Sequence, residues 1–162
     1  MTSRYDLRPV RPTDRDFLFG VYCSSREEEM RLVNWEESQK QVFLTTQFEA
    51  QQAEYSRRFP EANHQIILSD GEPVGHLHID RTPREIHIID VAILSKHRGR
   101  GIGTAILNTI LSEGKEQRKA VRIYVEVFNR SQPLLARLGF SPIEDAGVYS
   151  LWEWNPEASS AH

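Results

Sequence analysis

Several features that would place this sequence in other protein classes are scarce or missing. Cys23 is the only cysteine, so no disulfide can form within the chain, and such cysteine usage fits a reducing compartment. No apolar run approaches the roughly 20 residues that span a bilayer. Residues 1–20 are rich in arginine and lack the apolar segment of a secretory signal. We therefore expect a cytoplasmic protein without a membrane anchor.

An excess of charge of one sign is also missing. The net charge is −3, and 39% of the residues are apolar and 27% charged, which is the composition of a folded domain. Proteins that bind nucleic acid over a broad face need a basic surface, and this composition does not supply one. The length of 162 residues fits one domain, predicted over residues 1–154, with a polar tail over residues 155–162.

The spacing of apolar residues alternates between the period of a helix and that of a strand, and it predicts the order β-α-α-β-β-β-α-β-α-β-β. The predicted strands are 5–10, 65–68, 74–80, 85–94, 121–127, 140–143 and 148–154, and the predicted helices are 13–23, 35–58, 101–118 and 131–138. Hairpins mixed with crossover connections imply an α/β fold with a mixed sheet and helices on both faces.

A glycine-rich loop joins the strand over residues 85–94 to the helix over residues 101–118. It reads Arg98, Gly99, Arg100, Gly101, Ile102 and Gly103. Glycines let backbone N–H groups approach an anion closely, and the helix N-terminus behind them adds unpaired donors and a partial positive charge. The two arginines suit phosphate oxygens. This pattern predicts a pyrophosphate site; a turn without a ligand, or a loop that binds another nucleotide, remains an alternative.

The wider pattern resembles the GNAT superfamily of N-acetyltransferases. The family motif Arg/Gln-x-x-Gly-x-Gly/Ala is present as Arg98, Gly101 and Gly103, and a strand, Asn129, a short helix and Gly139-Phe140 follow it. The resemblance implies acetyl-CoA as co-substrate and a central strand that splays from its neighbour at a bulge. It places the pyrophosphate on residues 98–104, Thr104 included, and the pantetheine arm on Asn129 and the exposed backbone of Ala92 and Ile93.

The sequence departs from the family pattern at Leu135, where many members carry a tyrosine that protonates the departing thiolate. Tyr124 and Tyr149 are other hydroxyl groups for this role, and the sequence does not choose between them. The leucine at this position also leaves open the alternative that the protein is a module that binds acyl-CoA without catalysis. The function that we expect is acetyl transfer to a primary amine of a small molecule or peptide, by direct attack in a ternary complex.

Two carboxylates are candidates for the base that removes a proton from the acceptor amine. Asp90 lies in the apolar run Ile88-Ile89-Asp90-Val91-Ala92, where partial burial is expected to raise its pKa. A bulge cap or an ion pair with an arginine is the alternative. Glu126 is the weaker candidate, because a solvated glutamate is common on a strand.

Two further groups of residues border the predicted acceptor side. If residues 81–84 form the turn, His76, His78 and His87 share one sheet face, with Asp80 opposite Glu85. They either line the acceptor site, form a polar face or bind a metal, and we expect no metal. Residues 26–37 carry five glutamates, which suit a cationic acceptor or simply a solvated helix start. Trp152 and Trp154 leave a homodimer possible.

Overall fold

One mixed sheet of seven strands carries the fold. The computed structural model describes residues 4–126, 132–147 and 149–157, with the backbone alone for residues 126 and 146. The strands are β1 Asp6–Pro9, β2 Asn63–Ser69, β3 Glu72–Arg81, β4 Glu85–Ile93, β5 Ala120–Glu126, β6 Ser141–Ala146 and β7 Tyr149–Trp154, and the helices are α1 Arg15–Ser25, α2 Glu27–Leu32, α3 Glu37–Arg58, α4 Ile102–Gln117 and α5 Gln132–Arg137. The spatial order is β1-β2-β3-β4-β5-β7-β6. The predicted α/β fold with a mixed sheet is confirmed.

The α4 side of the sheet holds the main aliphatic core. Helix α4 turns a stripe formed by Ile102, Ile106 and Ile110 onto the sheet, as its helical spacing predicts. Alternate residues of the central strands meet this stripe, among them Ile88 and Val121, which are fully buried. This packing fixes the start of α4 beside the end of β4, where the glycine loop lies.

Helices α1 and α3 cover the opposite face of the sheet. A smaller apolar cluster joins Leu18 of α1, Phe48 of α3 and Ile66 of β2. The remainder of this face is polar, because histidines occupy the positions that aliphatic residues hold on the α4 side. The two faces therefore differ in chemistry, and ionisable groups collect under α3.

The segment that joins α1 to α3 is more regular than the sequence predicted. Residues 27–32 form helix α2, so the described chain has one more helix than the predicted order. The long helix begins at Glu37 rather than after Asn34, and the backbone N–H of Glu36 donates to Oε1 of Gln39 at 3.0 Å. This contact ties down the first turn of α3.

The two tryptophans of β7 contribute to the core rather than to a surface. Trp152 and Trp154 are only 8% and 3% exposed. The ring of Trp154 lies against Gly114 of α4 and Gly139, where a β-carbon would come within 3.2 Å of it. The suggestion that these rings face a partner subunit is therefore wrong.

Among the described residues, no helix combines the length and the apolar character that crossing a membrane requires.

Candidate active site

Strands β4 and β5 run parallel and then separate. Their pairing extends from Glu85 opposite Ala120 to Ile88 opposite Ile123 and ends there. β4 continues to Ile93 beside β3, so its last five residues have one unpaired edge. A β-bulge in the β3–β4 ladder immediately precedes this opening: Ile79 pairs with Ile88, but His78 pairs with Asp90. A bulge bends its strand, and the splay expected at this position is present.

The observed register of the β3–β4 hairpin also differs from the predicted one. Asp80 lies opposite His87, not Glu85, and His78 lies opposite Asp90, not His87. The extra residue in β4 is Ile89, which moves Asp90 onto the face that carries the histidines. The same sheet face therefore collects more ionisable groups than the sequence predicted.

The backbone groups on the open edge of β4 follow from the ladder. The N–H of Leu94 donates to the carbonyl of Val74 at 2.8 Å, so Leu94 points its backbone toward β3. Successive residues alternate in direction, so Ala92 also points toward β3, whereas Val91 and Ile93 point into the splay. The predicted contact with the pantetheine arm thus fits the backbone of Ile93. The second backbone position that points into the splay is Val91 rather than Ala92.

Gly75 of β3 allows β4 to lie close to β3 next to this open edge. A β-carbon at Gly75 would lie 2.2 Å from the carbonyl oxygen of Ala92, which is backbone and cannot move alone. We expect Gly75→Ala to cost about 1–3 kcal/mol of unfolding free energy, because overpacking shifts β4. Urea denaturation measures this loss, and titration with CoA measures the accompanying loss of affinity.

Gly20 is the matched control for that substitution. A β-carbon at Gly20 in α1 would meet nothing within 4 Å. Gly20→Ala should therefore keep or raise stability, by up to about 1 kcal/mol, because alanine favours a helix. Equal stabilities for the two variants would contradict the close approach of Gly75 to β4.

The glycine loop has the backbone of an anion cradle. Gly99 and Gly101 both have φ of +81°, a conformation that side chains rarely adopt. The first intrahelical bond of α4 runs from the N–H of Ala105 to the carbonyl of Gly101 at 2.9 Å. The N–H groups of Ile102, Gly103 and Thr104 precede it and have no helical acceptor. The buried side chain of Ile102 anchors this turn.

Arg98 supports the glycine loop through hydrogen bonds to neighbouring backbone carbonyls. Its Nε donates to the carbonyl of Ile93 at 3.1 Å, and its Nη2 lies 3.5 Å from the carbonyl of Ser24 at the end of α1. The Ser24 hydroxyl in turn accepts the N–H of Ser95 at 2.9 Å. Arg98 thus joins α1, the end of β4 and the loop. This contact gives the arginine of the motif a structural role besides its charge, which was the only role predicted.

Asp90 ends a hydrogen-bonded chain across three strands, which we call the Asp90 chain. Its Oδ2 lies 3.1 Å from Nε2 of His76, and Nδ1 of His76 lies 2.8 Å from Nε2 of His64. His76 is buried, whereas 33% of the Asp90 side chain is exposed. The predicted alternatives for Asp90, an ion pair with an arginine or a bulge cap, are replaced by this partnership with a histidine.

The pKa of Asp90 shifts in the direction opposite to the prediction. Burial by itself would raise this pKa. The charge and hydrogen bond of His76 and the nearby His78 and His64 outweigh burial and hold the pKa of Asp90 below its usual 3.8. The carboxylate is therefore ionised throughout the working range of pH, and the expectation of a raised pKa is wrong.

The imidazoles of His64 and His78 are neutral at neutral pH. Burial, together with the neighbouring histidines, lowers the pKa of His64 to about 3 and that of His78 to about 4. His64 and His78 stack with their ring centroids 4.4 Å apart, and the ring of Tyr55 meets His78 edge-on. Among the described residues, no three His, Cys, Asp or Glu side chains are arranged to hold a metal ion. The face is a layer of aromatic and imidazole rings that includes the Asp90 carboxylate.

A cleft of about 300 Å³ opens beside this layer at the end of α3. His64 and His78 line it from the sheet, and Tyr55 and Phe59 line it from the helix. The ring of Phe59 also meets His87 edge-on, with centroids 5.3 Å apart. The Asp90 chain thus runs from the splay to this cleft.

The hydroxyl groups suggested for the thiolate differ in their surroundings. Tyr124 of β5 is exposed and meets the His87 ring at 5.7 Å between centroids. Tyr149 is exposed at the start of β7. Leu135 is 1% exposed and packs in the main core, so this position is a packing position in the present chain. Asn129 and the Glu126 side chain lie outside the described residues.

The glutamates at the start of the α-helical layer are largely engaged with neighbouring basic residues. Glu29 lies 3.0 Å from Arg26, Glu27 lies 3.8 Å from Arg31, and Glu37 lies 3.7 Å from Lys40. These contacts neutralise part of the negative charge that was predicted to attract a cationic acceptor. They agree with the alternative of charges that support helix starts and turns.

Comparisons with known proteins agree with this architecture. Residues 29–140 match the family model described as the acetyltransferase (GNAT) family. The chain belongs to the GNAT family. The matched segment contains the splay, the glycine loop and α4, which are the features that the sequence motif predicted.

The curated relative and the solved structures differ in how much they share with this GNAT chain. An N-alpha-acetyltransferase of Sulfurisphaera tokodaii is 30% identical over 99 residues, which span 52% of this chain and 59% of that protein. The PaiA N-acetyltransferase of Thermoplasma acidophilum, solved with coenzyme A, superimposes with a TM-score of 0.70 at 13% identity over 94% of this chain and 99% of that one. An acetyltransferase of Thermus thermophilus gives a TM-score of 0.67 at 20% identity over 96% of this chain and 97% of that one.

His64 is the residue of this site that the sequence did not reveal. It lies on β2, and its partners His76 and Asp90 lie on β3 and β4. A signal was present, because His64 lies two positions before Ile66 and therefore on the same face of β2. Its partner could not be inferred without the register of two ladders.

Proposed function

We propose that this protein transfers an acetyl group from acetyl-CoA to a primary amine, with the α-amine of a peptide or amino acid as the best-fitting acceptor. The observation that carries the proposal is the splay of β4 from β5 directly before the Gly99–Gly101 cradle. The family membership supports acetyl transfer, and the curated relative bears the name N-alpha-acetyltransferase.

The residues present fit acetyl-CoA. The cradle offers three backbone N–H donors at the start of α4 and open space around Gly99, which suit a pyrophosphate. The open edge of β4 offers the backbone of Val91 and Ile93 to the amides of the pantetheine arm. When bound, acetyl-CoA supplies an activated thioester, and a backbone N–H on this edge can stabilise the oxyanion that develops on its carbonyl.

The low pKa of Asp90 bears on the choice of amine. An α-amine has a pKa of about 7.7–8.0, whereas a lysine amine has about 10.4. A carboxylate with a low pKa is a weak base, so it does not deprotonate either amine to a large extent before attack. Much of an α-amine is nevertheless neutral near pH 8, and Asp90 can take its proton once bond formation has made the nitrogen acidic.

The proposed reaction is a direct transfer of the acetyl group from sulfur to nitrogen. The neutral amine attacks the thioester carbonyl, a C–N bond forms, and the C–S bond breaks as the tetrahedral intermediate collapses. The proton leaves the nitrogen for Asp90, and CoA departs as a thiolate, a tolerable leaving group because thiols have a pKa of about 8.5. Tyr124, whose ring meets that of His87, is our candidate for protonating that thiolate.

Calorimetric titration with acetyl-CoA, CoA, ATP and NAD tests the donor. We expect selective binding of the CoA compounds that weakens by at least tenfold in the double variant Gly99→Ala, Gly101→Ala, because left-handed alanine costs about 1–2 kcal/mol per residue and distorts the cradle. Gly71→Ala is the matched control, since Gly71 has φ of +79° in the β2–β3 turn. Tight binding of ATP or NAD instead of CoA would refute the donor assignment.

Turnover with a panel of amines tests the acceptor. Release of free thiol from acetyl-CoA is measured with peptides that have a free or a blocked N-terminus, with lysine derivatives and with polyamines. We expect release with free α-amines and none with blocked ones. CoA binding without thiol release by any amine would indicate a module that binds acyl-CoA without catalysis.

A further inference from the structure

The Asp90 chain sets the orientation of a single carboxylate. Asp90 lies directly after the bulge residue Ile89, two positions beyond the last β4–β5 pair, and its backbone pairs with His78. The chain has two links, from Oδ2 of Asp90 to His76 and from His76 to His64, at 3.1 Å and 2.8 Å. Without these links a carboxylate that is one-third exposed would be free to rotate.

Two arrangements of protons satisfy both hydrogen bonds of this chain when Asp90 is ionised. A carboxylate only accepts, so Nε2 of His76 must carry the proton that it donates to Oδ2. Nδ1 of His76 then either accepts from Nε2 of His64 or, in the imidazolium form, donates to it across the 2.8 Å contact. In both arrangements Nε2 of His76 is the donor to Asp90.

We propose that His76 and His64 are positioning residues, which hold Oδ2 of Asp90 so that Oδ1 stays available to the acceptor nitrogen in the splay. This inference rests on the proposed function of Asp90 as the proton acceptor. His76 acts through its bond to the carboxylate, and His64 acts through His76. Neither histidine needs to contact the substrates.

The surroundings leave this role to the two histidines. The ionisable groups that act on Asp90 are His76, His78 and His64, all on β2 and β3. From the helical layer, α3 presents Tyr55 against His78. Nδ1 of His78 is buried with no hydrogen-bond partner in the described structure, so His78 does not belong to the chain.

The test compares leucine and glutamine at both positions. His76→Leu removes the donor to Asp90, whereas the amide of His76→Gln can still donate to Oδ2. We expect His76→Leu to lower kcat about 10- to 100-fold with a peptide α-amine, because misplacement of a reacting group costs rates of this size. The KM for acetyl-CoA should stay within about threefold. His64→Leu should cause a smaller loss of the same kind, and both glutamine variants should recover most of the activity.

The pH profile separates positioning from mere stability. Because His76 lowers the pKa of Asp90, its removal leaves burial to raise that pKa. His76→Leu should therefore show a loss of kcat on the acid side beyond the loss that protonation of the acceptor amine causes in both proteins. His87→Leu is the control, since His87 shares the sheet face but has no described hydrogen bond to Asp90. Equal pH profiles in His76→Leu, His76→Gln and the unaltered protein would overturn the proposal.

NMR of the protein without substrates tests the positioning role of the two histidines separately from the proposed function. The ¹⁵N shifts of the imidazoles should show a proton on Nε2 of His76, and the ¹³C titration of the Asp90 carboxyl should move to higher pH in His76→Leu. These results with an inactive protein would refute the proposed function but leave the orientation of Asp90 established. An unchanged Asp90 titration in His76→Leu would overturn the inference even in an active protein.

Discussion

Asp90→Asn is expected to lower kcat for acetyl transfer about 10²- to 10⁴-fold, the range that general acid–base catalysis typically contributes. Asparagine has the shape of aspartate and can still accept the hydrogen bond of His76, so the β4 bulge and the Asp90 chain should persist. What is lost is the negative charge and the site for the proton that leaves the acceptor nitrogen. Steady-state release of free thiol measures kcat.

Asp80→Asn is the matched control for that experiment. Asp80 also lies on the face of the β3–β4 hairpin that carries the histidines, opposite His87, but no hydrogen bond joins it to the Asp90 chain. Its neutralisation should leave kcat within about threefold. Calorimetric titration should show unchanged affinity of both variants for acetyl-CoA. If Asp90→Asn keeps a kcat similar to that of Asp80→Asn, Asp90 does not take the proton.

The sequence predicts the donor side of this site better than the acceptor side, for a physical reason. The cradle is local: Gly99, Gly101 and the first turn of α4 are contiguous, and their backbone geometry follows from the residue types. The amphipathic stripe of α4 likewise comes from spacing within one segment. Local features of this kind need no knowledge of how strands pair.

The acceptor side depends on pairings between distant segments. The insertion of Ile89 as a bulge moved Asp90 onto the face of His76 and His78, and no residue type in β4 announces a bulge. The direction of the pKa shift of Asp90 followed from that register, because the predicted burial was there but the histidine contacts were not foreseen. The choice of Val91 over Ala92 has the same origin.

Acidification from pH 7.5 to pH 5 is expected to lower the unfolding free energy substantially. His64 and His78 have a pKa near 6.5 when unfolded and of about 3 and 4 when folded. Between these values the unfolded chain binds protons that the folded chain does not, so stability is fully present above pH 6.5 and falls as the pH decreases toward the folded pKa. At pH 5 one such histidine accounts for about 2 kcal/mol.

The pair should account for somewhat less than twice that amount, on the order of 3 kcal/mol, because part of each shift is repulsion between the histidines themselves. Asp90 and Asp14 do not contribute in this window. Their lowered pKa values, about 2 for Asp14 beside Arg8, give stability that is lost only as the pH falls below about 4. The loss at pH 5 is therefore specific to the histidine face.

Urea denaturation at pH 7.5 and pH 5 measures this difference, with the dependence on urea concentration compared to confirm that the same surface unfolds. For a chain of this size about 3 kcal/mol corresponds to a fall in Tm of roughly 6–12 °C. His64→Gln does not titrate and should flatten the pH dependence while leaving the protein folded at pH 7.5. If stability is equal at both pH values, or if His64→Gln retains the full slope, then His64 and His78 are not held neutral under α3, and the protons assigned to the Asp90 chain must be placed differently.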